Sequence, residues 1–206
     1  MQYFVSTDGG FNGGGGCFGR QGGQKDAQLL DYARLRQGLS LSLSLAAEDV
    51  ATVTRDVVEE LRLARPNAVI ELALAGDCAL VCDAGSLAQV VSNLVGNALQ
   101  HGQGAVTIRV RGEEDMVVLD VHNRGPAIPA AVLPRIFEPF QRGESSMSLG
   151  LGLYISREIV RAHGGEMEVR SSDEDGTTFV VRLPRRRDDN APQLLSTLAL
   201  ARTASG

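Results

Sequence analysis

A two-layer α+β sandwich, with a mixed, mostly antiparallel sheet covered by helices on one face, is the fold class this sequence predicts. Three observations point to it. Apolar residues switch along the chain between a two-residue and a helical period. Neighbouring strand-like runs are joined by short polar turns, as hairpins are. The 206 residues are 43% hydrophobic, which is enough for one core with looser ends.

Taken in order, residues 1–25 include nine glycines between Gly9 and Gly23 and no apolar period, so a disordered segment is expected. A phosphate-binding glycine loop would need a preceding strand and a following Gly-Lys-Ser/Thr, and neither is present. Over 26–38, Leu29, Leu30, Ala33 and Leu35 form a helical pattern that Gly38 can stop. Leu39, Leu41, Leu43 and Leu45 alternate with serines and predict a half-buried strand. Val50, Val53, Val57, Val58 and Leu61 return to the helical period, which Pro66 ends. Strands are expected over 69–75 and 79–82. Asp83 then caps a long helix with the stripe Leu87, Val90, Val91, Leu94, Val95 and Ala98. Strands over 105–111 and 116–122 flank a polar turn, and proline-rich residues 123–149 form a long loop of the functional or disordered kind. A helix over 152–162, strands over 166–171 and 177–183, and a loose tail from 186 to 206 complete the chain. The main domain is therefore 39–185.

A formal charge of −5 argues against a general nucleic-acid binder, and Arg185, Arg186 and Arg187 read most simply as the start of a solvated tail. Cys17, Cys78 and Cys82 give neither an even disulfide framework nor a CxxC metal pair; Cys78 and Cys82 read as buried strand residues. No apolar run is long enough to span a bilayer and no signal-peptide pattern opens the chain, so a cytoplasmic location without membrane contact is expected.

Three places combine residue types with chemistry. Asn93, Asn97 and His101 share one face of a helix. They are either plain surface residues or amide oxygens facing a ligand, where such hard donors suit Mg²⁺. Asn123, at a strand end before Gly125, is either an ordinary loop start or an acceptor for an adenine amino group. Gly150-Leu151-Gly152-Leu153 precedes a helix whose first amides can receive phosphates, unless the glycines merely begin it.

In order along the chain, these segments carry a family resemblance. Asn93-Leu94-Val95-Gly96-Asn97-Ala98 resembles the N box of histidine kinases, Asn123 to Ile128 the G1 box, Arg135 to Phe140 the F box, and Gly150 to Leu153 the G2 box. His163-Gly164-Gly165 and Gly176-Thr177-Thr178-Phe179 resemble the elements that follow. The similarity covers residues 29 to 184, within the group that shares an ATP fold with gyrase, Hsp90 and MutL.

The resemblance implies ATP and Mg²⁺ as cofactors, with ATP under a flexible lid between the F and G2 boxes. Asn97 takes the Mg²⁺-ligand position with Asn93 as its partner, and Asn123 the adenine position, where Asp is more usual. Gly125, Ala127 and Ile128 of the G1 box, Phe140 of the F box, Leu151, Leu153 and Thr177 fall at nucleotide-contacting positions. Gly150 and Gly152 bring backbone to the phosphates, His101 lies near the nucleotide, and Arg142 resembles a lid arginine reaching the terminal phosphate. Gln100 replaces a common Lys or Arg, and Ser148 and Leu149 replace the usual Gly-Thr.

Hydrolytic relatives place Glu where this chain has Asn93, so transfer to a protein is favoured over hydrolysis. Asn93 and Arg142 are the catalytic candidates. The implied acceptor is a histidine on a dimerisation domain, from the full-length protein or another chain, and the implied downstream partner is a response-regulator receiver; the full-length form should be a homodimer. Leu29 to Gly38 resembles the end of a dimerisation helix, while His101, His122 and His163 lack the acceptor context. The other readings are a non-catalytic ATP-dependent interaction module and an anti-sigma-type serine kinase.

Overall fold

The computed structural model describes residues 21–37, 41–141 and 149–185. Helix α1 (Gln21–Arg36) leads into strand β1 (Ala46–Asp49), helix α2 (Val50–Ala64), strands β2 (Ile70–Ala75) and β3 (Ala79–Cys82), and helix α3 (Ala84–His101). Strands β4 (Gln103–Gly112) and β5 (Met116–Arg124), helix α4 (Gly152–Ala162), and strands β6 (Glu166–Ser172) and β7 (Gly176–Pro184) follow. A 3-10 turn, Leu133–Arg135, lies in the long connection after β5.

Five strands form one sheet in the order β2-β4-β5-β7-β6, antiparallel except for the parallel β2–β4 pair. β1 and β3 form a separate antiparallel ribbon. Along β5, Val117, Leu119 and Val121 alternate onto the same inner face as Phe179, Val181 and Leu183 of β7, and there meet the apolar stripes of α2, α3 and α4. That shared burial is the mixed α+β sandwich expected from the two periods.

The Leu39–Leu45 strand is corrected. Leu41, Leu43 and Leu45 are half-buried and Ser42 and Ser44 exposed, as the alternation demands, but residues 41–45 make no ladder. The four-residue β3 is paired by Ala46–Asp49 instead, so the strand starts where a partner exists. Leu39 and Ser40 lie outside the described residues, as do residues 1–20 and 186–206. Helix α1 begins at Gln21, inside the segment expected to be disordered and ahead of the expected start at 26.

Arg185 is not part of a solvated tail. Its guanidinium donates to Asp77 Oδ2 at 3.0 Å, to the carbonyls of Ala79 and Glu113 at 3.1 and 2.9 Å, and to the Asp77 carbonyl, tying the β2–β3 turn to the β4–β5 hairpin. Cys78 and Cys82 are buried, and burial, followed by the charges of Glu48 and Asp83, pushes the Cys82 thiol up to about 11.

Candidate functional site

Two helices and two strand ends build the site. Asp83 caps α3 by accepting from Ser86 N at 2.8 Å, and also accepts from Ser44 N at 2.7 Å. Burial opposes ionisation there, but these N–H donors and the Ser86 hydroxyl outweigh it and hold the carboxyl below its ordinary range. Leu87, Val90, Val91, Leu94, Val95 and Ala98 anchor α3 in the core. The half-buried Asn93 and Asn97 and the exposed His101 lie beside that stripe.

Asn93 reaches α4. Its Nδ2 donates to Gly152 O at 3.2 Å and to Ser156 Oγ at 3.1 Å, leaving Oδ1 as the polar atom for a ligand. A Cβ on Gly152 would stand 3.4 Å from Asn93 Cγ, so the N-box and G2-box segments abut. Of α2, α3 and α4, only α4 lacks a side-chain cap: Asp49 and Asp83 cap the first two, whereas Leu151 precedes α4. The first amides of α4 are thus left for an anion, and the positive helix end favours one. Leu151 itself is fully buried and fixes where the helix starts, and Leu153 packs at the core margin.

At the other end, β5 continues through Asn123 to Arg124, past the strand end expected at 122, and Asn123 pairs with Thr177 of β7. Both side chains are buried. Asn123 Nδ2 donates to Arg124 O at 3.1 Å, so its Oδ1 is the acceptor left over. Gly102 packs on this side chain, and Gly125, with φ 148°, lies against the end of α3: a Cβ on Gly125 would stand 3.1 Å from His101 O. His101 thus meets the G1 box through its carbonyl, with its side chain exposed.

The G1 loop is held from β6, which sequence reasoning missed. Ala127 N donates to Asp173 Oδ1 at 2.9 Å, and Ile128 N to Ser171 Oγ at 2.9 Å. Ser171 Oγ lies 2.7 Å from Thr177 Oγ1, joining the G1 loop, the edge strand and Thr177 of β7 in one chain of bonds. Ser171 and Asp173 lie some 45 residues from the loop they hold, and only the β6–β7 register brings them there. Ser156 was also missed, because only the packing of α4 on α3 brings it to Asn93.

The F box is anchored by Phe137, whose ring centroid lies 6.4 Å from that of Phe179, with the Arg157 guanidinium 5.5 Å from the ring centroid. Phe140 is half-exposed, has φ 63°, and donates its N–H to Gly150 O at 2.9 Å. Gly150 has φ 68°. The two ends of the segment between the F and G2 boxes are therefore joined at its neck. Arg142 and Ser148 lie outside the described residues.

The comparisons agree with this geometry. The family model for histidine kinase-, DNA gyrase B- and HSP90-like ATPases matches residues 82–187. The chain is 37% identical over 168 residues to a bacteriophytochrome of Pseudomonas aeruginosa, covering 78% of this chain and 23% of that one. It is 40% identical over 164 residues to the probable sensor histidine kinase TcrY of Mycobacterium tuberculosis, covering 76% and 34%. It thus spans well under half the length of either curated relative. Among solved structures, full-length ShkA in complex with AMPPNP matches with a TM-score of 0.69 at 27% identity, covering 80% of this chain and 36% of that one. The mycobacterial sensor histidine kinase MprB matches with a TM-score of 0.61 at 26% identity, covering 70% and 99%. This chain belongs to the histidine kinase-, DNA gyrase B- and HSP90-like ATPase family, as an ATP-binding catalytic domain of the histidine kinase type.

Proposed function

We propose that this domain binds Mg-ATP and directs the γ-phosphoryl group to a histidine on a dimerisation domain, as the kinase part of a two-component sensor acting in the cytoplasm. The observation that carries it is the uncapped start of α4 beside Asn93, with the Asn123 acceptor at the far end of α3. One end suits phosphates and the other an adenine amino group.

Among the described residues no three or more His, Cys, Asp or Glu side chains gather into a metal site. A Mg²⁺ ion there fits only as the companion of phosphates, with the Asn97 and Asn93 amide oxygens as protein ligands. Bound in that way, it would neutralise phosphate charge. The chain's own part is positioning. Asn123 and Thr177 orient the base, the α4 amides take phosphate oxygens, and Arg142 is the candidate for the terminal phosphate. Phosphoryl transfer depends mainly on such placement and charge neutralisation.

Asn93 supplies no base for an attacking water, and its Nδ2 is engaged by α4. The acceptor histidine lies elsewhere: His101 ends α3, His122 sits on β5 within 3.0 Å of Thr178 Oγ1, and His163 is buried. Radiolabelled ATP with a supplied histidine-containing dimerisation domain tests the proposal. Acid-labile label on that domain supports it. Nucleotide binding without transfer leaves an interaction module, and acid-stable label on serine points to the anti-sigma type of kinase.

A further inference from the structure

His163 is buried and both of its ring nitrogens are engaged. Nδ1 lies 2.8 Å from Ile159 O, inside α4. A carbonyl only accepts, so Nδ1 carries the proton. Nε2 lies 3.0 Å from Asp83 N, which only donates, so Nε2 is the bare nitrogen. A single neutral tautomer satisfies both partners.

The Asp83 amide belongs to the N-cap of α3, the helix that bears Asn93 and Asn97. Helices α3 and α4 therefore meet through two polar pins. Asn93 holds Gly152 and Ser156 at the start of α4, and His163 holds Asp83 at its end. The pins stand about 15 Å apart along α3 at the helical rise. Between them the contact is apolar, with Leu87, Val91, Ile155 and Ile159 in one core. Apolar burial is strong but non-directional, and fixes separation better than angle. One polar pin would leave α4 free to swing about Asn93; two do not.

We infer that His163 is a positioning residue for nucleotide binding: its neutral imidazole sets the angle of α4 on α3, so that the uncapped α4 amides and the N-box amides face the same phosphates. The inference rests on the nucleotide reading given above. It assigns the histidine of His163-Gly164-Gly165 a role at a distance from the ligand.

Two substitutions separate this role from simple support of the end of α4. In His163→Gln the side-chain oxygen falls where Nε2 was and can still accept from Asp83 N. In His163→Asn the amide nitrogen falls where Nδ1 was and can still donate to Ile159 O, but the reach to Asp83 is lost. Calorimetric titration with Mg-ADP, at a temperature where circular dichroism shows all three proteins folded, should give His163→Gln within about twofold of the unaltered chain. His163→Asn should be weaker by about fivefold to tenfold, the size of one net hydrogen bond. Equal weakening in both, no change in either, or the reverse order overturns the inference. If the unaltered chain itself binds no Mg-ADP, the nucleotide reading falls and this one with it. A second readout needs no variant: ¹⁵N spectra of labelled histidine should show His163 protonated at Nδ1, and a proton on Nε2 overturns the inference.

Discussion

Gly102 lies so close to Asn123 that a Cβ on the glycine would stand 2.8 Å from Asn123 Cβ and 2.9 Å from its Nδ2. The end of α3 and the Asn123 side chain are thus one packed unit, and a methyl group has no room between them. Gly102→Ala should lower stability by about 1–3 kcal/mol, the usual cost of overpacking. It should also weaken Mg-ADP binding, because the methyl meets the Ala98 carbonyl first and Asn123 next, and a side chain yields more readily than backbone. Thermal unfolding and calorimetry check the two effects separately; an affinity loss without a stability loss would show that the strain is relieved at Asn123 alone.

Asn123 itself should decide which base is accepted. Asn123→Ala removes the acceptor and should reduce the preference for ADP over GDP by about tenfold or more, since a site group that pairs with a ligand polar atom is worth roughly 1–3 kcal/mol. Asn123→Asp keeps the acceptor and should keep the preference. Competition titrations with the two diphosphates measure it.

Among the described residues the Asn97 side chain has no hydrogen-bond partner, which leaves its amide oxygen for a cation. Asn97→Ala should weaken ATP binding more in Mg²⁺ than in EDTA. Equal losses in the two buffers, read by the same titration, would return Asn97 to a structural role.

Much of this site was legible because its parts are local. The spacing of Asn93 and Asn97 follows from helical period alone, and both lie on α3 as expected. Asn123 at a strand end and Gly150 to Leu153 before a helix likewise need only short stretches of chain. Residues joined through the sheet were not legible. Ser171 and Asp173 hold the G1 loop because β6 pairs with β7 and β7 with β5, a register that no local pattern encodes. The serine-leucine alternation correctly marked half-burial over 41–45, but burial is not pairing, and the short β3 set where the ladder began. Parallel pairing of β2 with β4 was hidden for the same reason: α3 and the β3 ribbon intervene in sequence.

Tyr32 of α1 stands edge-on to Phe140, 5.0 Å between centroids, and to Tyr154 of α4, 5.8 Å away. One ring from α1 therefore contacts both the F-box end of the neck and the helix behind the G2 box. Tyr32→Ala should speed amide exchange in α1 and at the 138–141 neck while leaving β4 and β5 protected. The lost aromatic pairs amount to about 1–2 kcal/mol beyond simple area burial. Exchange that rises in α1 alone would mean that Phe140 holds its left-handed conformation without Tyr32.

Acid should loosen α3 from its N-terminus. The Asp83 carboxyl is held below its ordinary range, so its folded-state pKa lies under the unfolded one. The stability it confers is present above the unfolded value and is lost as pH falls through the folded one. Denaturant unfolding between about pH 5 and pH 2.5 should therefore show a steeper loss for the unaltered chain than for Asp83→Asn, which keeps a capping oxygen but cannot titrate. Parallel curves would mean that other carboxyls, such as Asp77 beside Arg185, dominate the acid response.

Asn93→Glu tests whether the hydrolytic chemistry of the wider family can be installed by its side chain alone. The glutamate would offer a base, but it would also remove the donor that bonds Gly152 O and Ser156 Oγ and set a carboxylate near the Gly152 carbonyl. Like-signed oxygens at that distance repel, and the start of α4 should shift away from the phosphates it is meant to receive. Mg-ATP affinity should then fall by about tenfold or more, the cost of two lost hydrogen bonds with repulsion in their place, and phosphate release should stay at the level of the unaltered chain. Steady-state phosphate release at saturating ATP reads the outcome. A clear gain in hydrolysis would show that residue 93 can turn toward water without its α4 bonds, and that the choice between transfer and hydrolysis rests on this one side chain.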